Sequence, residues 1–199
     1  MRDEVLLFDL GGVLVEASIF PLLRKLLPDT AEAELYDRWL ESEAVAAFER
    51  GEIEAEAFAE RFVAEWRVDI APADFLAAFA DAVRGPFPGA LEMLERLRQR
   101  YVLACLSNCN AAHWPLVEPI AARFDHAVVS HICGMVKPDA AIFRHVLEVL
   151  DRPASAVRFF DDSLKNVRAA EAAGIEAHHT VGFESLERTI AGLGLLQPA

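Results

Sequence analysis

Asp9 closes the apolar run Val5-Leu6-Leu7-Phe8 and stands directly before Leu10 and the pair Gly11-Gly12. A carboxylate that a strand delivers to a glycine turn has the setting an aspartate nucleophile needs. Three distant segments carry complementary chemistry: Leu106-Ser107-Asn108, Val136-Lys137-Pro138 and Phe159-Phe160-Asp161-Asp162. Each sets small, basic or acidic groups where an apolar run ends. Together they could supply nucleophile, phosphate anchor, charge clamp and metal ligands, which is the equipment of phosphoryl transfer. Taken singly, the same residues have plainer roles. Asp9 could cap a turn, Ser107 could begin a helix, Lys137 could be a solvated charge, and Asp161 and Asp162 could cap a helix after Ser163. Only the four segments in this order favour chemistry over capping.

Residues 4–10 read as a buried strand, and from about residue 88 apolar runs alternate with amphipathic helices. Strands are predicted over 101–106, 126–130, 157–160 and 175–179. Pro88 and Pro138 suit first helical turns, Leu91, Leu94 and Leu97 share one helix face, and Gly174 suits a helix C-terminus. This is the grammar of an α/β fold: a right-handed, Rossmann-like parallel sheet that binds ligands beyond the carboxyl ends of its strands. Residues 17–85 break the alternation with helical pairs such as Leu35 with Trp39, Tyr36 with Leu40, Phe58 with Phe62 and Trp66, and Phe75 with Phe79. The expected organisation is a core of 1–16 and 86–199 with a helical cap of 17–85, placed to act as a lid over Asp9.

The chain has 199 residues, 54% of them hydrophobic, enough for one substantial core with an appended subdomain. Its formal charge of -13 disfavours a surface dedicated to nucleic acid or anionic membrane. Arg2, Asp3 and Glu4 precede only a short apolar run, and no stretch reaches the roughly 18 apolar residues of a membrane span, so a cytoplasmic setting is expected. Cys105, Cys109 and Cys133 are odd in number and read as reduced thiols. Cys105, Cys109 and His113 have a superficially metal-like spacing, but no second ligand pair accompanies them and zinc is not expected. His113, His178 and His179 lack partner spacing, which assigns them structural or exposed roles. Monomer and homodimer both remain open.

The motifs FDLGGVL, LSN, GMVKPD and FFDDS, in this order and with a helical segment after the first, resemble the haloacid dehalogenase superfamily over essentially the full length. With Phe48-Glu49-Arg50-Gly51-Glu52-Ile53 added, the pattern looks most similar to the bacterial sugar-1-phosphate phosphatases typified by alpha-D-glucose-1-phosphate phosphatase. The resemblance implies a C1-type cap, a small phosphorylated metabolite as substrate, and attack by Asp9 on phosphorus to form an aspartyl-phosphate that water hydrolyses. It implies Mg²⁺ held by Asp9, the Gly11 carbonyl and Asp162. It further implies phosphate binding by the Ser107 hydroxyl and the Asn108 amide, charge neutralisation by Lys137, and orientation of the metal or its waters by Asp161 and Asn166.

The pattern departs from that resemblance at one position. Most phosphatases of the superfamily place a second aspartate two residues after the nucleophile to protonate the leaving oxygen, and here that position is Gly11. General acid-base catalysis is worth about 10²- to 10⁴-fold. A sugar 1-phosphate leaves as a hemiacetal oxygen and would lower the demand for an acid, while Glu16 could act as a substitute or could be a hinge carboxylate. Two rivals follow: a haloacid dehalogenase, which uses an aspartate nucleophile without Mg²⁺, and a phosphatase-fold binding protein that has lost turnover.

Overall fold

The computed structural model describes residues 3–196. In chain order it contains β1 (Val5–Phe8), β2 (Val15–Ala17), the helices α1 (Phe20–Leu26), α2 (Glu32–Glu41), α3 (Glu43–Glu49), α4 (Ala55–Trp66) and α5 (Pro72–Ala80), and β3 (Val83–Pro86). An alternation follows: α6 (Ala90–Leu97), β4 (Val102–Ser107), α7 (Trp114–Ala121), β5 (His126–Val129), α8 (Ser130–Cys133), α9 (Ala140–Leu150), β6 (Val157–Asp161), α10 (Leu164–Ala172), β7 (Glu176–His179) and α11 (Phe183–Gly192). The fold is α/β. Five strands form a parallel sheet in the order β5-β4-β1-β6-β7.

β1 is central and buried on both faces, which is why it is an uninterrupted apolar run rather than an alternating one. Leu6 and Phe8 face one layer with Leu94 of α6 and Ile190 of α11. Val5 and Leu7 face the other, with Phe143 and Val146 of α9. The register then decides where chemistry can occur. Phe8 lies opposite Cys105 of β4 and Phe160 of β6, and the Asp9 N–H donates to the Phe160 carbonyl at 2.8 Å. Asp9 and Asp161 therefore emerge side by side at the carboxyl edge, with Ser107 ending the neighbouring strand.

Helices α1–α5 build a separate apolar core on aromatic rings. Phe62 stacks on Phe75 with centroids 4.4 Å apart, and Phe48 stacks on Phe58 at the same separation. These pairs join α4 to α5 and α3 to α4, so the i, i+4 aromatic spacing serves packing between helices as much as within them. The cap is tied to the sheet by an antiparallel ribbon, in which β2 pairs with β3, and by the Ser18 N–H donating to the Ala82 carbonyl at 2.8 Å. The expected boundaries fall inside this ribbon. The Arg84-Gly85-Pro86 stretch reads as turn in sequence, yet three- and four-residue strands at a hinge need no long apolar run to pair.

Candidate active site

Lys137 is the pivot of the site. Its Nζ lies 2.9 Å from Asp9 Oδ1 and 2.7 Å from Asp161 Oδ2, and the lysine is 5% exposed. Burial alone would depress its ammonium, but Asp161 and Asp9 outweigh that cost and hold it above its ordinary value. Asp9 Oδ1 also accepts from the Leu10 N–H at 2.7 Å, so two donors fix the rotation of that carboxylate. Burial nevertheless pushes Asp9 up to about 8; Lys137 pulls it down, and Asp161 and Asp162 push it further up.

Asp161, Asp162 and Asp9 each present an oxygen within 4.8 Å of the others. Three carboxylates against one ammonium leave the cluster with excess negative charge in a dry setting, which a hard cation relieves. Asp162 is pushed up to about 6, by burial first and then by Asp161. The three acids are not equivalent. Asp161 Oδ1 accepts from the Ser163 N–H at 2.8 Å and Asn166 Nδ2 at 3.0 Å, while Oδ2 accepts from Lys137. Both Asp161 oxygens are thus committed, which leaves Asp9 and Asp162 better placed than Asp161 to hold a metal. Gly12 makes their approach possible: its φ is +72°, and a Cβ there would collide with Asp162 Oδ2. Gly182 N–H holds the Gly12 carbonyl at 2.8 Å, and His179 Nε2 reaches the Asp162 carbonyl at 2.8 Å.

Ser107 is buried at the end of β4, and its hydroxyl makes only a long 3.4 Å bond to the Asn108 carbonyl. It remains available to a phosphate oxygen. The Asn108 side chain is engaged by Lys137 and Glu49. Its Oδ1 accepts from the Lys137 N–H at 2.9 Å, and its Nδ2 donates to the Lys137 carbonyl at 3.0 Å and to Glu49 Oε2 at 3.2 Å. The side-chain amide thus positions the lysine, with its donors spent on the Lys137 carbonyl and Glu49.

A cavity of about 570 Å³ lies between cap and sheet, bounded by Tyr36, Trp39, Glu49, Lys137 and Asp162 among others. A smaller chamber of about 160 Å³ adjoins it, with Glu49 and Asn108 on both walls, and is mostly apolar through Leu10, Val15, Ile19, Trp39 and Phe79. Gly11 lines this chamber, with no side chain to project into it. Glu16 does not fill the gap: β2 turns it outward, where it pairs with Arg84 at 2.9 Å with half its side chain exposed. Of its two readings the hinge carboxylate is the one this place fits, since strand geometry sends Glu16 away from the cleft.

Glu49 is the feature that the sequence motifs left without a role. It closes α3, four residues after the buried Val45 and directly after the buried Phe48, and a glutamate on the buried face of a short helix is itself a signal. Burial pushes its carboxyl up to about 7, against the pull of Lys137, the Asn108 amide and Arg50. His113, Cys105 and Cys109 have surroundings of a structural kind. His113 Nε2 meets the Phe79 carbonyl at 2.8 Å and stitches α5 to the start of α7, while burial pushes the Cys105 and Cys109 thiols up to about 12.

A family model described as haloacid dehalogenase-like hydrolase matches residues 4–174. Sesquiterpene phosphatase astK of Aspergillus oryzae is 27% identical over 87% of this chain and 87% of its own length. Among solved structures, HAD family enzyme bt-2542 of Bacteroides thetaiotaomicron, in complex with magnesium and inorganic phosphate, superposes with a TM-score of 0.72 at 24% identity, covering 89% of this chain and 93% of that one. An HAD-like family hydrolase from Porphyromonas gingivalis superposes with a TM-score of 0.76 at 21% identity, covering 99% and 100%. These two structural likenesses describe the fold.

Proposed function

The chain belongs to the haloacid dehalogenase-like hydrolase family, and on that premise we propose that it is a Mg²⁺-dependent phosphatase acting on a small phosphomonoester through a phospho-Asp9 intermediate. The observation that carries this reading is Lys137 lodged between Asp9 and Asp161, with Asp162 completing the carboxylate cluster. Asp9, the Gly11 carbonyl and Asp162 would hold Mg²⁺, which supplies charge neutralisation and alignment when bound. Lys137 keeps Asp9 oriented and offsets charge shared with the incoming phosphoryl group. Ser107 hydroxyl and the Asn108 backbone N–H would cradle its equatorial oxygens. The magnesium and phosphate complex of bt-2542 and the activity in the name of astK support the same assignment. The cluster argues against a dehalogenase, because metal-free chemistry would bring a halocarboxylate against these carboxylates without the cation that offsets them for a phosphate ester.

The finer reading is a sugar 1-phosphate, supported by the motif resemblance and by Gly11, since a hemiacetal oxygen departs with less help than an ordinary alcohol. The apolar chamber favours a second reading, an apolar alkyl or isoprenyl monophosphate, whose chain Trp39, Ile19 and Phe79 would contact. Free, buried Cys105 and Cys109 suit a reducing cytoplasmic setting.

Phosphate release should be measured over hexose 1- and 6-phosphates and alkyl and isoprenyl monophosphates, with Mg²⁺ and with chelator. Chelator-sensitive release is expected, and the rank of the substrates decides between the two readings. Activity that survives chelation, or halide release from 2-haloacids in place of phosphate release, would defeat the proposal.

A further inference from the structure

The site as described lacks a proton donor for the leaving oxygen, and resting on the phosphatase reading, we propose that Glu49 of the cap supplies that proton. In-line displacement puts the leaving oxygen opposite the attacking carboxylate. Asp9 projects from the sheet edge, so the departing group faces the roof of the cleft, and Glu49 is part of that roof. It borders both the main cavity and the chamber beside Gly11, where the missing side chain would have been.

Its seat is built rather than incidental. Gly51, two residues on, has a φ of +70°, and a Cβ there would collide with the His131 carbonyl of α8, so the cap is pressed onto the core immediately beside Glu49. Arg50 is drawn away by Glu52, Nε to Oε1 at 2.6 Å. Lys137 spends two of its three donors on Asp9 and Asp161 and makes no ion pair with Glu49. Glu49 therefore has one neutral donor, Asn108 Nδ2 on Oε2, and no ion-pair partner at salt-bridge distance among the described residues. The Cys109 thiol lies nearby, Asp139 lies near Arg50, and Glu41, Asp162 and Lys165 share the cavity wall. Burial holds the carboxyl near 7, where a general acid is efficient.

The step balances as follows. An Asp9 oxygen forms the bond to phosphorus as the bond to the ester oxygen breaks, and the Glu49 proton passes to that oxygen, giving ROH. Glu49, now a carboxylate, takes a proton from the water that attacks phospho-Asp9. Phosphate leaves, Asp9 is regenerated, and Glu49 is again protonated.

Glu49→Gln tests this, because the amide oxygen can still accept from Asn108 but the group cannot protonate an alkoxide. First-turnover phosphorylation should be compared in wild type and variant with p-nitrophenyl phosphate and with an unactivated alkyl or sugar monophosphate, both with Mg²⁺. The expected loss is about 10²- to 10⁴-fold for the unactivated ester and only a few-fold for p-nitrophenyl phosphate, and the decline of rate above about pH 7 should disappear. Glu49→Asp should recover part of the loss. An equal loss for both esters with an unchanged pH profile would make Glu49 a positioning residue for Asn108 and overturn the assignment. So would wild-type rates in Glu49→Gln. Wild-type protein that releases phosphate from no ester would overturn the phosphatase reading itself, an outcome distinct from either of these.

Discussion

The Asn108 side chain grips the Lys137 backbone at both ends, accepting its N–H at 2.9 Å and donating to its carbonyl at 3.0 Å. Asn108 thus sets the place of the lysine that pairs with Asp9. Asn108→Ala removes both bonds. At about 0.5–1.5 kcal/mol net for each, the expected loss is roughly 1–3 kcal/mol in chemical denaturation, with a fall in kcat because Lys137 is no longer held. Asn108→Asp should be worse than alanine, since an acceptor would then oppose the Lys137 carbonyl and Glu49. An aspartate variant more stable than the alanine variant would contradict this account.

What was legible in the sequence was what a strand end dictates. Val5-Leu6-Leu7-Phe8 has no polar residue to face solvent, so it is central in the sheet and Asp9 is at its carboxyl edge; the same reasoning locates Ser107 and Asp161. The place of Glu49 at the cleft was not legible, although its motif and its buried helix face were, because that place depends on α3 docking against α8 through Gly51, a contact between residues 80 apart in the chain. Asn108 shows a different limit: its chemistry was readable, but which partner claimed its amide was not. Glu16 had two readings in the sequence, and its exposed pairing with Arg84 fits the hinge one, since proximity along the chain says nothing about which side of β2 it occupies.

Asp9→Asn should abolish turnover and, in metal-free protein, raise stability at pH 8. Burial lifts the Asp9 carboxyl from 3.8 to about 8, so the folded state holds this proton more tightly than the unfolded chain. The contribution is therefore present below about pH 4 and is lost as pH rises towards about 8. An amide of the same shape carries no such penalty, and Lys137 keeps Asp161 at 2.7 Å. Thermal scans in chelator should show Tm higher for Asp9→Asn at pH 8, by about 2–4 °C per kcal/mol recovered, with the difference shrinking towards pH 5. A lower Tm at pH 8 would mean that the Lys137 pair outweighs the burial cost.

Gly11 and Gly12 should respond oppositely to substitution. A Cβ at Gly11 meets only Ala17 Cβ, at an ordinary 3.6 Å. Gly11→Asp should therefore fold normally and, by adding a second acid, raise turnover on poor leaving groups such as hexose 6-phosphates. Gly12→Ala should lose stability and weaken Mg²⁺ binding, because it forces an alanine to φ +72° and drives Asp162 aside. Denaturation midpoints and Mg²⁺ titrations of the two variants check this, and equal destabilisation would show that the loop discriminates less than its geometry implies.

His113 predicts a pH effect on the tie between cap and core. Its Nε2 faces the Phe79 carbonyl at 2.8 Å and its Nδ1 lies 3.3 Å from Asn110 Nδ2. A neutral ring satisfies both partners by donating from Nε2 and accepting at Nδ1. Burial holds the imidazole below its ordinary 6.5, while the Phe79 carbonyl pulls the other way. The unfolded chain therefore binds the proton more readily than the folded one. The stabilising contribution is fully present above about pH 6.5 and is lost as pH falls below it. His113→Gln keeps a donor for Phe79 but does not titrate. It should cost some stability at pH 7.5 yet flatten the decline of Tm between pH 7 and pH 5 relative to wild type. Parallel declines in the two proteins would show that other groups set the acid sensitivity and that His113 is not held neutral by its place in the fold.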